Sequence, residues 1–375
     1  MMANPDDHGL LTDDADENDS FPFPFNQAAL LTALNNLRDA ADLHQLRTQA
    51  AALVQEIANP MGMLIPDQIG ETVELTVGYL RGEIDQIAAT LTLERARYYI
   101  DRLVRAIGEE RRQPFSDINL NRWKEREYDD LITDSLWQID RRDSTGAHTA
   151  DYWGNFVPQI PNQIMRRYTR RGEWVIDLFA GLGTSLIEGQ RLGRNTLGIE
   201  LQPTVAARAR ALIEQEPNPY AVVREVLDGD SATYNLAEAL AQHGQRSAQL
   251  LMLHPPYFDI IRFSDDSRDL SNAASVDQFL EMLGRVVEHA APLLDKGRFM
   301  ALVIGDKYAR GDWIPLGFLA MQAVLQRGFV LKSIVVKNVE GTAGKRARRE
   351  LWRYRALVGG FYVFKHEYLF LFRKQ

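Results

Sequence analysis

Trp174-Val175-Ile176-Asp177-Leu178-Phe179-Ala180-Gly181-Leu182-Gly183-Thr184-Ser185 decides the fold, because an apolar run meets an acid and turns through two glycines into a helical pattern. Gly181 and Gly183 let the backbone bend sharply and approach a ligand closely, since no Cβ intervenes. Moving outward, a helix is predicted over Thr184–Leu192 and a second strand over Thr196–Glu200. A helix follows Pro203, and further strands are predicted over Ala221–Leu227, Leu250–Leu253 and Arg298–Ile304. The helix before the last of these is placed at Phe279–Ala291. Beyond it come a helix at Leu316–Gln326, a strand at Val330–Val336 and a closing strand at Tyr368–Phe372. Strands alternating with helices imply an α/β, doubly wound, mostly parallel seven-stranded sheet. Its last two strands are expected to form an antiparallel edge hairpin. Such sheets bind ligands at the carboxyl ends of their strands.

The rest of the chain divides by composition. The first 20 residues hold seven acids and no Lys or Arg, so residues 1–24 read as a disordered acidic tail. Residues 25–113 read as a helical N-terminal domain of two helices, a turn and two longer helices, with Pro60 and Pro66 interrupting the pattern. A dimerisation or partner-binding bundle is a second reading of this stretch, and no internal repeat is evident in it. Residues 114–375 form the α/β domain. The net charge of −8 does not argue against a polyanionic partner, because basic clusters stand apart from the acidic tail. They lie at Arg166, Arg167, Arg170 and Arg171, and through Lys345-Arg346-Ala347-Arg348-Arg349. No stretch approaches the roughly 20 apolar residues that span a bilayer, and the acidic N-terminus resembles no targeting signal. A cytoplasmic location is therefore expected. The chain has no cysteine, which excludes disulfides and cysteine-ligated zinc, and no other metal set is read. It also excludes methylation of a cytosine ring carbon, which needs a thiolate nucleophile.

Two ligand types suit a glycine turn at this position. A dinucleotide site would carry G-x-G-x-x-G to seat a pyrophosphate, but Leu186 stands where the third glycine belongs. Asp177 would repel phosphate and suits the ammonium of a methionine moiety. Glu200, ending the second strand, is placed to accept ribose hydroxyls, and Asp230, after the third, to accept from an adenine amino group. Taken singly, each acid is as readily a solvated loop end. Acids at three successive strand ends beside a glycine turn favour a site.

The fourth strand ends in His254-Pro255-Pro256-Tyr257. Here the chain resembles the DNA amino-methyltransferases (N6-adenine and N4-cytosine methylases), in which an Asp, Asn or Ser precedes Pro-Pro-Tyr or Pro-Pro-Phe. The turn with Phe179, Gly181, Gly183, Thr184 and Ser185 is similar to the family's, as is the closing His366-Glu367-Tyr368 strand. Asn155-Phe156-Val157-Pro158-Gln159-Ile160-Pro161-Asn162 resembles the element that folds over the cofactor's methionine, which implies Phe156, Pro158 and Asn162 as cofactor contacts. The order of these segments is similar to the family's gamma arrangement. The resemblance implies a Rossmann-like methyltransferase using S-adenosylmethionine on double-stranded DNA, with the target base flipped out; an RNA base amino-methyltransferase is the alternative, since related enzymes use the same segment. A bacterial modification or defence setting with a restriction partner goes with it.

An exocyclic amino nitrogen is a poor nucleophile, because its lone pair is delocalised into the ring. Accepting both of its N–H bonds favours a tetrahedral nitrogen. The resemblance gives one acceptor to the side chain at 254 and one to the Pro255 carbonyl, which Pro255 and Pro256 hold rigidly. Tyr257 supplies a stacking face for the flipped base. His254 departs from the family, offering one ring nitrogen where the family has oxygen. It reads as a neutral acceptor, as a change of base preference, or as the mark of an inactive cofactor- and nucleic-acid-binding protein. If it is an acceptor, methyl transfer should fail as pH drops through its pKa, and for an ordinary imidazole a flat single-turnover profile from about pH 5.5 to 8 would count against this. Arg262, in the loop after Tyr257, and the arm bearing Lys345, Arg346, Arg348 and Arg349 are the candidate nucleic-acid contacts.

Overall fold

A computed structural model describes residues 22–58, 64, 72–108, 114–119, 128–155, 157–309, 311–339 and 349–375. Of the tail expected over residues 1–24, residues 1–21 lie outside them, and residues 22–24 belong instead to a strand, Pro22–Asn26. The chain divides into two compact units, Met1–Arg112 with Asn119–Arg122, and Gln113–Ile118 with Trp123–Gln375.

The N-terminal unit is built from one motif used twice. Strand β1 (Pro22–Asn26) leads into helices α1 (Gln27–Arg38) and α2 (Leu43–Ile57). Strand β2 (Thr72–Thr76) leads into α3 (Val77–Ala88) and α4 (Leu93–Gly108). Each element recurs 50 positions later, and so does its buried face. Leu30, Leu34, Leu37, Leu46, Ala50, Leu53 and Ile57 match Leu80, Ile84, Ile87, Ala96, Ile100, Leu103 and Ile107 in one shared core. The strands pair antiparallel with Pro24 opposite Glu74, so the repeat relation passes through the centre of the ribbon. Its cross-contacts are reciprocal. The Arg47 guanidinium donates to the Ala88 and Thr90 carbonyls, and Arg97 donates to those of Arg38 and Ala40. Asn26 and Thr76 cap the helices that follow their strands, each accepting an amide three residues on.

This repeat corrects the expectation that none exists. Few identities survive beyond Leu30/Leu80, Leu43/Leu93, Arg47/Arg97 and Leu53/Leu103. What repeats is apolar spacing and capping chemistry, which tolerate wide substitution. The four helices match the expected number; the two strands preceding α1 and α3 were not expected.

The second unit is α/β. Its sheet runs β3 (Leu136–Trp137), β11 (Phe329–Asn338), β12 (His366–Lys374), β8 (Leu294–Ile304), β7 (Ala248–Leu253), β4 (Trp174–Asp177), β5 (Asn195–Glu200) and β6 (Arg224–Asp228). From β8 through β7, β4 and β5 to β6 each strand is parallel to the next, and β12 is antiparallel to both β8 and β11. Strands β9 (Lys307–Ala309) and β10 (Asp312–Ile314) pair antiparallel in a separate ribbon. Helices α6 (Thr184–Leu192), α7 (Pro203–Gln215) and α8 (Leu236–Gln242) link the strands of the β4–β7 half. Helix α9 (Val276–Ala290) crosses from β7 to β8, α10 (Leu316–Leu325) precedes β11, and α5 (Gln159–Tyr168) precedes β4. Ile176, Leu251 and Leu302 pack with α9 on one face, while Val175, Leu250 and Ala301 pack with α5 on the other. Burial on both faces is why these strands read as continuous apolar runs rather than alternations.

Two details differ from expectation. The sheet has an eighth strand, because Leu136–Trp137 pairs with Val336 and Lys337; a strand this short leaves no periodic signal. The third central strand starts at Arg224 rather than Ala221, since the Asn218 side chain bonds both the amide and carbonyl of Val222 and holds that stretch in a loop.

Leu34 and Ile84 occupy equivalent, fully buried sites. Leu34→Ala and Ile84→Ala are therefore expected to destabilise the N-terminal unit similarly, each by about 2–5 kcal/mol in denaturant melts. A large loss at one site and almost none at the other would contradict the shared core.

Candidate active site

Two loops leave the sheet where its strand order reverses. The chain goes from β4 outward to β5 and β6, then returns to lay β7 on the other side of β4. The turns after β4 and β7 diverge there and leave a crevice at the strand ends. A cavity of about 1060 Å³ occupies it. Phe179, Gly181, Glu200 and Asp230 line it on one side, and His254, Pro255, Pro256 and Tyr257 on the other.

The glycine turn is shaped by its acids. Gly181 and Gly183 have φ of 53° and 78°, which favour glycine. Gly183 caps α6, and a Cβ there would meet Ile213 Cδ1 at 2.8 Å. Glu200 ties the turn down, its Oε2 accepting the Gly181 amide at 3.0 Å and its Oε1 the Gln202 amide at 2.9 Å. Asp177 lies beneath, 1% exposed, with Oδ1 accepting the Phe179 amide. Its Oδ2 and the neighbouring Ser185 hydroxyl lack a hydrogen bond of ordinary geometry. Burial pushes the Asp177 carboxyl up to about 6 and the Glu200 carboxyl up to about 7, against the opposing pull of the amides that bond them. Asp230 accepts the Ala232 amide at 2.9 Å.

The second loop is braced by a chain of polar contacts. His254 Nε2 lies 3.1 Å from the Tyr257 hydroxyl, with the rings edge to face. That hydroxyl donates to Glu367 Oε2 at 2.8 Å. Glu367 Oε1 pairs with Lys337 Nζ at 3.1 Å, both side chains largely buried. Lys337 and Glu367 face each other directly across β11 and β12. Burial holds the His254 imidazole down at about 4 and raises the Tyr257 phenol well above its ordinary value. The Tyr257 ring packs on the Gly305 backbone, where a Cβ would come within 2.9 Å of it. Phe258, next in the chain, has φ of 54°, a conformation that costs a non-glycine residue about 1–3 kcal/mol and is found where a surrounding structure enforces it.

The other candidate residues fall elsewhere. Thr184 and Ser185 are buried in the first turn of α6 and Gly183 at its cap, outside the cavity lining. The Thr184 hydroxyl donates to Asn155, which does line the cavity. Pro158 sits at the start of α5, and Asn162 donates to Glu188 on α6, so both brace helices away from the cavity. The Arg262 side chain is exposed and pairs with Asp265. Phe156, Lys345, Arg346 and Arg348 lie outside the described residues, and of Arg349 only the backbone is described, opening the helix Arg349–Gly359. Sequence reasoning gave no role to Lys337, Glu367 or Gly305. The available signal was a Lys and a Glu inside two strands that are otherwise apolar where they are buried.

Residues 95–210 match the family model described as DNA methylase. The match is to that segment alone and covers less than half of the chain. A type II methyltransferase, M.MjaII of Methanocaldococcus jannaschii, is 35% identical over 75 residues, covering 20% of this chain and 14% of that protein. The chain thus matches only a small part of that relative's length. Among solved structures, TrmN of Thermus thermophilus overlaps 59% of this chain and 49% of its own at 16% identity, with a TM-score of 0.37. An rRNA methylase of Streptococcus thermophilus overlaps 58% and 95% at 11% identity, with a TM-score of 0.34. The methylase segment contains the glycine turn and Glu200; His254–Tyr257 lies beyond it.

S-adenosylmethionine is the cofactor of this methylase fold, and the residues present fit it. Asp177, expected to meet the cofactor's ammonium, lies buried beneath the turn outside the cavity lining, where its Oδ1 accepts the Phe179 amide. Glu200 and Asp230 present carboxylates whose lone pairs are not exhausted by the amides they accept. Because Asp177 and Glu200 hold protons unusually well, binding a cationic ligand is expected to release them. Cofactor affinity should therefore rise with pH through about 6 to 7 and level off above. Glu200→Gln should remove the upper part of that rise in calorimetric titrations, and affinity that strengthens toward acid would contradict the assignment.

Proposed function

We propose that the chain methylates an exocyclic amino group of a DNA base, adenine N6 or cytosine N4, with the base flipped out of the duplex. The observation carrying this reading is that His254-Pro255-Pro256-Tyr257 and the glycine turn share one cavity. The family description, DNA methylase, favours DNA as the substrate. When bound, S-adenosylmethionine supplies a sulfonium methyl group. Glu200 and Asp230, which line the cavity beyond β5 and β6, would hold and orient it, with Asp177 buried beneath the glycine turn after β4. Across the cavity, the Pro255 carbonyl and the neutral His254 ring accept the two amino N–H bonds, which localises the nitrogen lone pair for in-line attack. Tyr257, backed by Gly305, presents a ring face to the base. Fixing both reactants in one crevice supplies much of the rate.

His254 keeps its acceptor role over a wide pH range. Its pKa is held at about 4 by burial, so the acid loss expected from an ordinary imidazole moves below the physiological range. Single-turnover transfer at saturating cofactor should be flat in the His254 contribution from about pH 5.5 to 8 and fall toward pH 4. A drop centred near 6.5 would show that the ring titrates in the site.

Labelled methyl transfer from S-adenosylmethionine to duplex DNA and to RNA, followed by product digestion and mass analysis, tests the reading. Label on an adenine or cytosine amino group of DNA is expected. Transfer only to RNA, or cofactor binding without transfer to either, would overturn it.

A further inference from the structure

A second cavity, of about 390 Å³, opens beside the one that His254–Tyr257 lines. Its walls come from Tyr308 and Ala309 on β9, and from the helix Arg349–Gly359 with the turn that ends it. Tyr308, Trp352 and Phe361 line both cavities, so the two share an aromatic wall. The turn builds this wall. Gly360 has φ of 66°, which favours glycine, and the Phe361 amide donates to the Ala356 carbonyl at 3.1 Å. The chain folds back and stacks Phe361 on Tyr308, with ring centroids 3.8 Å apart and an interplanar angle of 24°. Tyr354 and Arg355 line the second cavity alone. Tyr354 is 65% exposed and Val358 70%, so aromatic and apolar surface stands uncovered there. The charge beside it has one sign. Arg355 lies over the Trp352 ring, 5.4 Å from its centroid, and Arg353 stands two residues before it. On α7 and α9, Arg208, Arg210 and Arg285 each hold a carboxylate, but Arg353 and Arg355 hold none among the described residues. Aromatic faces beside uncommitted guanidinium groups suit a nucleotide, giving a π surface to its base and a cation to its phosphate. A second copy of this helix would instead set the same cations against each other.

We propose that the second cavity binds the nucleotide next to the target on the same strand, its base against Tyr354 and the aromatic wall and its phosphate at Arg355. This rests on the amino-methyltransferase reading, which puts the target base in the first cavity. A flipped base draws its neighbours to the mouth of the site, one phosphodiester away. The shared wall sets the second cavity within that reach. Holding the neighbour fixes the register of the strand. The site therefore favours DNA that is unpaired around the target, since a neighbour taken from a duplex must also be unstacked.

Fluorescence anisotropy of the full chain with a mixed-sequence single-stranded DNA oligonucleotide tests the proposal without requiring methyl transfer. Tyr354→Ala should weaken binding about tenfold, and Tyr354→Phe should keep the wild-type affinity, because stacking needs the ring and not the hydroxyl. On a strand of the same length made of tetrahydrofuran abasic residues, which keeps the phosphates, Tyr354→Ala should cost less than about twofold. Arg355→Ala should weaken binding to both strands and flatten the dependence of log affinity on log salt concentration by about 0.7. Both side chains are exposed, so neither change should move the melting temperature or the cofactor affinity. Equal losses for Tyr354→Ala on the intact and abasic strands, or no loss on either, would overturn the proposal. So would a concentration-dependent dimer that Tyr354→Ala abolishes while oligonucleotide affinity stays unchanged, which would assign the face to a second copy. If Tyr354→Ala behaves as expected but no base is methylated, the functional reading fails and the nucleotide site stands. If DNA is methylated and Tyr354→Ala binds as tightly as the wild type, the reading stands and the site falls.

Discussion

Parallel strands cannot be joined by tight turns, so each must be reached by a crossover that covers one face of the sheet. In the second unit this constraint, applied from β4 outward and then back, forces the loops after β4 and β7 apart. Everything chemical in the molecule depends on that divergence. The turn after β4 needs glycines because its backbone takes positive φ at Gly181 and Gly183, and Gly183 is also crowded by Ile213 of the next crossover helix. The turn after β7 can then project His254–Tyr257 into the same crevice from the opposite side.

Burial sets the electrostatics of this crevice more than any ion pair does. Asp177 and Glu200 are pushed up and His254 is pushed down by the same loss of water. A site holding two reluctant carboxylates and a reluctant imidazole suits a cationic ligand on one side and a neutral hydrogen-bond acceptor on the other. The buried Lys337–Glu367 pair lines the same cavity, and its carboxylate anchors Tyr257.

The sequence made the central sheet and both turns legible because their signals are local. Continuous apolar runs mark strands buried on both faces, glycines mark the turn, and two prolines mark the rigid segment. Other features depend on pairing between distant segments. Glu367 stood within a recognised stretch, yet its partner Lys337 is 30 positions away and becomes its neighbour only through the β11–β12 register. The repeated strand–helix–helix unit escaped notice because its halves conserve spacing rather than identity. Asn162 and Thr184 look like cofactor contacts in a linear motif, but they spend their side chains on Glu188 and Asn155.

The central claim is that the turns after β4 and β7 enclose one ligand space. Photocrosslinking of radiolabelled S-adenosylmethionine to the full chain, with mapping of the labelled peptides, tests it most directly. The account places the label on peptides containing residues 178–202 and 254–257, with competition by unlabelled cofactor. Label confined to the N-terminal repeat unit, or spread without competition, would contradict it.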